Sequence, residues 1–421
     1  PTFTRNSIAY LSNGTQVAVN KPRFEQGAPG FGKAILIEEG TTNIITNGNC
    51  EEDYPKLNGK IELGINCTGE LDTSVTHSGN KSLKMTTTSV SGSADRYIML
   101  GAYAMNGLTA GQTYTFSAWV YVPSGQGINL NNVRLRFYDY VDAHNRVDSN
   151  TPTAYDTWQR LTVTRTIRAE ATRAFVRLYI LQDIQNAYVY WDDVQLEQKP
   201  YPTSFIDGTR AGETIQIPAA VWNRDSWQID MIFVPTSKMD AGNYNYLFRL
   251  YIDSNNSYSL IIHATGRPYI SIMSGGTEHN TYSASDPVLE VGQKYHLSAK
   301  GDGNTMALFI DGQLSAAGKK SYVKPVGDLP EYLYVGSNQA GSQQSNGLID
   351  DVRISNRART DEEILEAYQS NKPLPVDEWT TYKLSFDGHL YRSIQGTAWI
   401  PLGTFWSLDW DSPDDTLEAT V

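Results

Sequence analysis

Three runs in the first half of the chain alternate apolar residues with tryptophan, tyrosine and arginine. In residues 116–122, apolar side chains alternate with Trp119 and Tyr121, and runs near 133–138 and 176–180 repeat the pattern with arginine and tyrosine. Successive side chains of a strand point to opposite faces, so each run predicts one apolar and one polar-aromatic face. The predicted polar-aromatic face comprises Trp119, Tyr121, Arg134, Arg136, Tyr138, Arg177 and Tyr179.

This combination of side chains suits carbohydrate binding. Sugar rings stack on flat aromatic faces, while planar guanidinium groups donate hydrogen bonds to hydroxyls or carboxylates. In the alternative interpretation, the arginine and tyrosine side chains cover the second layer of a sandwich and Trp119 is a core residue. Buried guanidinium groups need partners, so three arginines on one face favour a glycan groove.

The strand-like run 227–233 is the nearest candidate for a glycosidase site. A retaining glycosidase needs two carboxylates about 5 Å apart. On one face of a strand, such a pair appears as acids at positions i and i+4 with a third acid at i+2. Here Asp230 is flanked at the same-face positions by Gln228 and Ile232. The chain has no Gly-x-Ser-x-Gly motif, although spacing alone leaves a Ser/His/Asp triad open. We therefore expect no enzyme and no catalytic residue.

The elements that position these residues are strands. The 421-residue chain is 40% hydrophobic and rich in tyrosine and tryptophan, and its 34 glycines and 18 prolines punctuate short apolar runs. Such a composition is typical of β proteins, and the length suits two domains. The sequence thus predicts an all-β fold: two antiparallel β-sandwich (jelly-roll) domains with short N- and C-terminal β extensions.

Turn signals divide the chain into four segments. Residues 1–44 contain the Asn13-Gly14 hairpin signal, and prolines at 200 and 202 mark a boundary between two series of strands. The one predicted helix, residues 359–370, begins at Thr360, which can form a capping box with Glu363. The predicted segments are an N-terminal β segment at 1–44, sandwiches at 45–204 and 205–371, and a C-terminal β extension at 372–421 with aromatic runs around Tyr382, Trp399 and Trp406.

Charge and composition exclude several partner classes. The net charge of -12 disfavours nucleic acid and anionic membranes, and no run approaches the roughly 20 apolar residues of a spanning helix. A chain starting at Pro1 without methionine indicates processing or truncation. Cys50 and Cys67 can form one bridge, but we favour free thiols because Cys50 follows an apolar segment. His263, His279 and His296 are interpreted as independent residues, since none shows metal-ligand spacing.

Residues 45–204 resemble carbohydrate-binding modules of the family 4/9/22 type. The likeness rests on the opening 46–52, the loop 77–83 and the closing strand 191–196, although Cys50 stands where the family has an aromatic residue. The resemblance implies one structural calcium ion, with the carried-over ligand positions Glu51, Asn80, Lys81 and Asp192. The alternative is that Asp192 and Asp193 only hydrogen-bond a loop or face solvent.

Residues 205–371 look like a laminin-G or concanavalin-like domain. The likeness rests on Leu308-Phe309-Ile310-Asp311-Gly312-Gln313-Leu314 and on residues 347–354 with a short helix after them. The latter run repeats the Asp-Asp-Val of the closing strand 191–196, but around Asp350 and Asp351 we expect no ion. Residues 1–44 look like segments that precede such modules in bacteriophage tail and capsid appendages, and the likeness rests on residues 3–5 and 38–43.

Together these features predict a non-catalytic carbohydrate-binding protein of a virion, as a tail fibre or capsid decoration, that attaches to cell-surface polysaccharide. The expected location is the virion surface or the extracellular space, and the expected partners are a glycan, other virion proteins and further copies in a homo-oligomer such as a trimer. The alternatives are a purely structural virion protein and the accessory binding region of a secreted glycanase.

Overall fold

The chain forms two compact units whose residues interleave along the sequence. The computed structural model describes residues 2–26, 33–88, 94–141, 144–239, 244–370, 381–384, 390–393 and 400–401. The first unit comprises Ser7–Ala18 and Thr41–Arg210, and the second comprises Pro1–Asn6, Val19–Gly40 and Ala211–Val421. The N-terminal segment 1–44 is thereby distributed between both units.

The first unit contains two antiparallel sheets that, in its described part, have five strands each. The Trp119 sheet has the strand order Cys67–Asp72, Ser82–Thr87, Tyr188–Glu197, Thr113–Tyr121, Trp158–Thr166. The Arg136 sheet has the order His144–Asp148, Val133–Tyr140, Arg173–Leu181, Asp95–Leu100, Ile61–Ile65. Short pairs join Ala9–Tyr10 to Gln16–Val17, Thr41–Thr42 to Thr209–Arg210, and Ile45–Thr46 to Lys56–Leu57, and Leu130–Asn132 forms a 3-10 turn.

The apolar faces of these two sheets meet in one core. Phe116, Ala118 and Val120 of the Trp119 sheet belong to the same buried cluster as residues of the Arg136 sheet. The period-two pattern produces this core, because every second residue of each strand points inward. The polar-aromatic faces of the two sheets therefore point away from each other.

The second unit is also a sandwich of antiparallel sheets. In its described part, a seven-stranded sheet has the order Thr2–Thr4, Thr214–Pro218, Tyr332–Val335, Asn245–Asp253, Asn256–Ile262, Pro268–Ser274, Thr277–Asn280. The other sheet runs Gln313–Leu314, Thr305–Ile310, Tyr295–Gly301, Trp227–Pro235, Gly347–Ser355, Thr381–Leu384, Leu390–Ser393, Ile400–Pro401. Lys320–Ser321, Lys33–Ile37 and Arg23–Gln26 add to it, and Ala219–Val221 forms a 3-10 turn.

Buried charges attach the N-terminal strands to the second unit. Arg5 and Arg23 are fully buried, and both donate to the Glu213 carboxylate at 2.6–2.8 Å. Arg23 also donates to Glu38 at 2.8 Å. A buried ion network is stable only when every charge has partners, and here each guanidinium faces carboxylates. Loss of Glu213 would leave two buried cations with too few acceptors.

The predicted helix is present and capped as expected. It spans Asp361–Ser370, the Glu363 N–H donates to Thr360 Oγ1 at 3.2 Å, and the Thr360 N–H donates to the Glu363 carboxylate at 2.7 Å. This reciprocal pair is a capping box. Ile364 packs on Ala307 and Phe309, which anchors the helix to the sheet.

The all-β prediction is confirmed. In the described part of the chain, strands dominate and the capped helix is the sole α-helix. Thr381–Leu384 pairs with Gly347–Ser355, while Trp399 and Trp406 of the predicted C-terminal extension lie outside the described residues. Among the described residues, no helix has the length and apolar character needed to cross a bilayer.

Candidate functional site

The seven residues of the predicted polar-aromatic face do not share one surface. Trp119 and Tyr121 lie in the Trp119 sheet, whereas the remaining five lie in the Arg136 sheet. Since the two sheets pack through their apolar faces, these two groups point to opposite sides of the first unit. The expectation of a single groove was wrong in this respect. Period two shows which side chains leave the core, but not which sheet a strand joins.

Trp119 is covered by a histidine. The His77 imidazole stacks on the indole with a centroid distance of 3.9 Å and an interplanar angle of 18°. Tyr121 contacts the rings of Trp158 at 5.7 Å and Tyr190 at 6.2 Å in tilted and edge-on geometry. The stacked histidine covers one face of the indole, so Trp119 packs against His77 here.

The Arg136 sheet brings the other five predicted residues together. Strand register places Arg136 opposite Arg177, Arg134 opposite Tyr179 and Tyr138 opposite Phe175. On the next strand, Tyr97 lies opposite Tyr179. Directly paired residues of antiparallel strands point to the same face. The outer face of this sheet, the Arg136 face, thus comprises Tyr97, Arg134, Arg136, Tyr138, Phe175, Arg177 and Tyr179.

Guanidinium groups and aromatic rings interleave on the Arg136 face. The Arg177 guanidinium carbon lies 3.6 Å from the ring centroid of Tyr97 and 4.5 Å from that of Tyr138. Arg136 lies 3.9 Å from the Tyr179 centroid. Cation–π attraction of this kind is strongest where water is excluded, and these side chains are largely buried. The face is therefore a rigid, preassembled layer.

Asp148 holds the arginines at one edge of the Arg136 face. Arg136 donates to both oxygens of its carboxylate at 2.6 and 2.9 Å, and Arg134 donates to one of them at 3.1 Å. Burial alone would raise the pKa of Asp148, but hydrogen bonds and charge from Arg136, followed by Arg134, outweigh it and lower that pKa. Both arginines are thus already paired with a carboxylate.

Accessible groups lie beside this layer. Tyr103 is 48% exposed, contacts Phe175 edge-on at 5.2 Å and accepts a hydrogen bond from Arg177 at 3.3 Å. Sequence reasoning missed Tyr97, Tyr103 and Asp148. The signal at Tyr97 was obscured because its neighbour Arg96 points to the core side of the strand, where it is buried and paired with Asp183. Tyr103 lies outside any strand, so no periodicity marks it.

The carried-over calcium positions do converge on one loop. The Glu51 carboxylate accepts from the backbone N–H groups of Asn80 at 2.5 Å and Lys81 at 2.9 Å. The Lys81 ammonium donates to the Glu51 carbonyl at 2.7 Å. Gly79 has a φ of +56°, and a Cβ there would lie 2.2 Å from the Glu51 carboxylate. Glycine is thus required for this close approach.

Asp192 and Asp193 hold the start of the same loop. Asp192 accepts from the N–H groups of His77 at 2.9 Å and Ser78 at 3.1 Å, while Asp193 contacts His77 Nδ1 at 2.7 Å and accepts from Ser78 Oγ at 2.5 Å. Burial, reinforced by the charge of Asp193, raises the pKa of Asp192 to about 8. We call Glu51, Asp192, Asp193 and residues 77–81 the closing loop.

A calcium ion needs several free oxygen ligands. In the closing loop, the carboxylate oxygens of Glu51 and Asp192 accept N–H groups, and an ammonium group lies on the Glu51 carbonyl. Among the described residues, no group of three or more His, Cys, Asp or Glu side chains is arranged to hold a metal. As arranged, this donor set does not fit the ion. Both buried cysteines are free thiols.

In the described part of the second unit, no three acids or histidines are arranged as a metal centre. Asp230 is buried, accepts from Gln228 at 2.9 Å and lies 4.0 Å from His296. His296 stacks on Tyr368 of the helix, and burial lowers its pKa. His263 and His279 belong to the other sheet of this unit or its loops.

A family comparison covers part of the chain. Residues 207–365 match the family model described as the concanavalin A-like lectin/glucanases superfamily. The expected likeness of residues 205–371 to a laminin-G or concanavalin-like domain agrees with this match, as does the sandwich of two antiparallel sheets. No curated protein matches the chain.

Several solved structures are similar to parts of the chain. Domain 4 of a GH43 extracellular arabinanase from Geobacillus stearothermophilus, in complex with arabinotriose, has 18% identity and a TM-score of 0.33 over 40% of this chain and 81% of its own. A CBM22 xylan-binding domain has 16% identity and a TM-score of 0.27, and the match covers 39% of this chain and 96% of that domain. Domains LG4-5 of mouse laminin α1 have 11% identity and a TM-score of 0.27, and the match covers 60% of this chain and 84% of the laminin chain.

Proposed function

We propose that the chain is a non-catalytic carbohydrate-binding protein and that the accessible edge of the Arg136 face, at Arg134 and the adjoining Tyr103, contacts the glycan. A concanavalin-like domain in the same chain supports a role in carbohydrate recognition. The arabinanase domain and the CBM22 domain are named as binding arabinotriose and xylan. We extend those ligand classes to this chain only as carbohydrate in general.

The observation that carries the proposal is the layer of guanidinium groups interleaved with tyrosine rings. Arg177 is held between Tyr97 and Tyr138, so neither the cation nor the rings have to be ordered when a ligand arrives. Preorganised contacts lower the entropy cost of binding. The exposed Tyr103 ring offers a stacking surface beside them.

The arginine pairing points to a neutral glycan at this face. Arg136 and Arg134 already bind Asp148, so an added carboxylate would face an existing acidic partner. Sugar hydroxyls can instead accept from remaining guanidinium N–H groups and donate to Asp148. We infer a hydroxyl-rich, uncharged polysaccharide as ligand.

The biological setting is a further part of the proposal. Attachment of a virion tail fibre or capsid decoration to cell-surface polysaccharide rests on the resemblance of residues 1–44 alone, and the comparisons give no support to a bacteriophage origin. An extracellular or virion-surface location, contacts with other virion proteins and homo-oligomerisation belong to the same proposal. Multivalent display would add avidity on a repetitive polysaccharide.

Neutral polysaccharides immobilised in native affinity gels test the proposal. The variants Tyr103→Ala and Arg134→Ala should each reduce retardation about tenfold, since each removes an accessible contact worth roughly 1–2 kcal/mol. Tyr155→Ala removes an equally exposed tyrosine elsewhere in the first unit and should retain binding. If the wild type binds none of the polysaccharides, or if both variants bind as the wild type does, the Arg136 face is not a glycan site. That result would favour the alternative of a purely structural protein.

A further inference from the structure

The outer face of the seven-stranded sheet carries a second polar-aromatic surface, in the concanavalin-like unit. Strand register aligns one row of side chains across neighbouring strands: Tyr334 pairs with Arg249, Arg249 with Ser259, and Ser259 with Ser271. The intervening residues, such as Phe248 and Leu260, belong to the core. The row therefore faces away from the core, and we call this surface the Arg249 face.

Within the described part of the chain, Arg249 has tyrosine neighbours but no acidic partner. Its guanidinium carbon lies 4.7 Å from the ring centroid of Tyr246 and 5.1 Å from that of Tyr251. Among the residues that the structure describes, its side chain makes no hydrogen bond or ion pair, and its Nε atom is buried without a partner. A cation held between two rings and lacking a counter-charge is prepared for an anionic group.

Small hydroxyl residues form the floor beside Arg249. Ser257 and Ser259 lie on one strand and Ser271 on the next, and all three are only 5–9% exposed. Ser271 donates to Glu278 at 2.6 Å, while Ser259 has no side-chain hydrogen bond among the described residues. Their short hydroxyl side chains supply hydrogen-bond donors and acceptors between the tyrosines.

Aromatic rings continue the surface along the strands. His263 lies 4.3 Å from the Tyr282 ring and 5.2 Å from that of Tyr244, which is 40% exposed. Tyr246 and Tyr269 occupy one further row of the same face, on either side of Ile261. From Tyr244, just before the strand Asn245–Asp253, to Tyr251 within it, the chain extends about 20 Å. This length accommodates several sugar rings, with Arg249 nearer the Tyr251 end.

We propose that the Arg249 face binds an acidic saccharide, with the Arg249 guanidinium pairing with a uronate carboxylate and the tyrosine rings stacking on the sugar. A planar guanidinium matches a carboxylate in two parallel hydrogen bonds. The net charge of -12 disfavours a dense polyphosphate, so one carboxylate per sugar suits this single cation better. The inference concerns a different unit from the Arg136 face and does not depend on it.

Paired ligands that differ only in charge test the proposal. The full chain is titrated by calorimetry with oligogalacturonate and with its methyl ester, which keeps the sugar backbone but removes the charge, and with alginate and hyaluronan oligosaccharides. We expect at least one acidic oligosaccharide to bind, and its binding to weaken as NaCl rises through roughly 0.5 M. If oligogalacturonate is the ligand, it should bind at least about tenfold more tightly than its methyl ester. Failure of all the acidic oligosaccharides to bind, or equal binding of acid and ester, would overturn the proposal.

Variants locate the site. Arg249→Gln should weaken acidic-saccharide binding about tenfold, and Ser259→Tyr should weaken it similarly by filling the floor. Arg357→Gln removes the same charge from a residue that pairs with Glu363 beside the helix, and it should leave binding unchanged. Unchanged binding by a folded Arg249→Gln variant sinks the proposal. Tyr103→Ala should not affect this ligand; if it does, the acid binds at the Arg136 face instead.

Discussion

The two Asp-Asp-Val strands of this protein share a local backbone and differ in everything around it. In both, the second aspartate has a positive φ, +47° at Asp193 and +53° at Asp351. In both, the first carboxylate accepts from the N–H of the second residue at 2.8 Å. Aspartate tolerates this left-handed conformation better than most residues. The sequence repeat is thus a repeated backbone device.

The device is a β-bulge. Opposite Asp193 and Val194, the neighbouring strand has only Ala118, since its register shifts between Ser117 and Trp119. Opposite the second Asp-Asp-Val strand, the register shifts in the same way between Asp230 and Ile232 of the neighbouring strand. Met231 there faces both Asp351 and Val352. A bulge of this kind increases local twist and redirects side chains. The same insertion therefore turns each closing strand.

The surroundings separate the two bulges. Asp192 and Asp193 are almost fully buried and hold His77 and Ser78 of the closing loop. Asp350 and Asp351 are partly exposed, and Asp351 pairs with Arg353 two residues later. One bulge organises a distant loop through buried acceptors, whereas the other makes a local pair. An identical sequence motif can thus have very different energetic weight.

The largest expected effect follows from removing Asp193. Asp193→Ala leaves His77 Nδ1 and Ser78 Oγ without their carboxylate partner and places alanine in a left-handed conformation, which together should cost about 3 kcal/mol. Differential scanning calorimetry should show a lower melting temperature for the first unit. Asp351→Ala is the matched variant and should cost about 1 kcal/mol. Equal losses at the two positions would mean that the loop contacts do not distinguish the bulges.

Calcium gives the second test. The proposal drawn from the resemblance requires the N–H groups of Asn80 and Lys81 to release Glu51, so that oxygen ligands become free. Calcium at 100 times its Kd would then stabilise the first unit by about 2.7 kcal/mol, and EGTA would reverse the shift in melting temperature. Glu51→Gln should abolish the response. If neither calcium nor EGTA changes the melting temperature, the closing loop is held by its hydrogen bonds without an ion.

The raised pKa of Asp192 predicts a pH dependence confined to the first bulge. Burial and the charge of Asp193 raise this pKa to about 8, above the ordinary value near 3.9. Between about pH 4 and 8 the folded state binds more protons than the unfolded state, so stability falls as pH rises. Melting temperatures of wild type and Asp192→Asn should differ in slope across this range. Asp350→Asn is the control, and parallel slopes for Asp192→Asn and wild type would contradict the expectation.

The sequence predicted the fold well because its signals are local. Alternation identified the inward residues of the strands at 113–121, 133–140 and 173–181, and Thr360 with Glu363 marked the helix start. Strand pairing is not local, which is why Trp119 was assigned to the wrong surface. Asp148 and the Arg249 face were missed for the same reason, since only register brings Arg249, Ser259 and Ser271 into one row.

The smallest expected effect is at the second bulge. Asp351→Asn keeps a residue that tolerates positive φ, and it removes the charge that pairs with Arg353. A partly exposed pair contributes little, so the loss should be about 0.5 kcal/mol and independent of calcium. The equivalent Asp193→Asn should cost more, because its buried carboxylate accepts from a serine hydroxyl and contacts a histidine. If chemical denaturation shows equal costs for the two asparagine variants, burial does not set the weight of the motif, and the shared bulge itself must carry the stability.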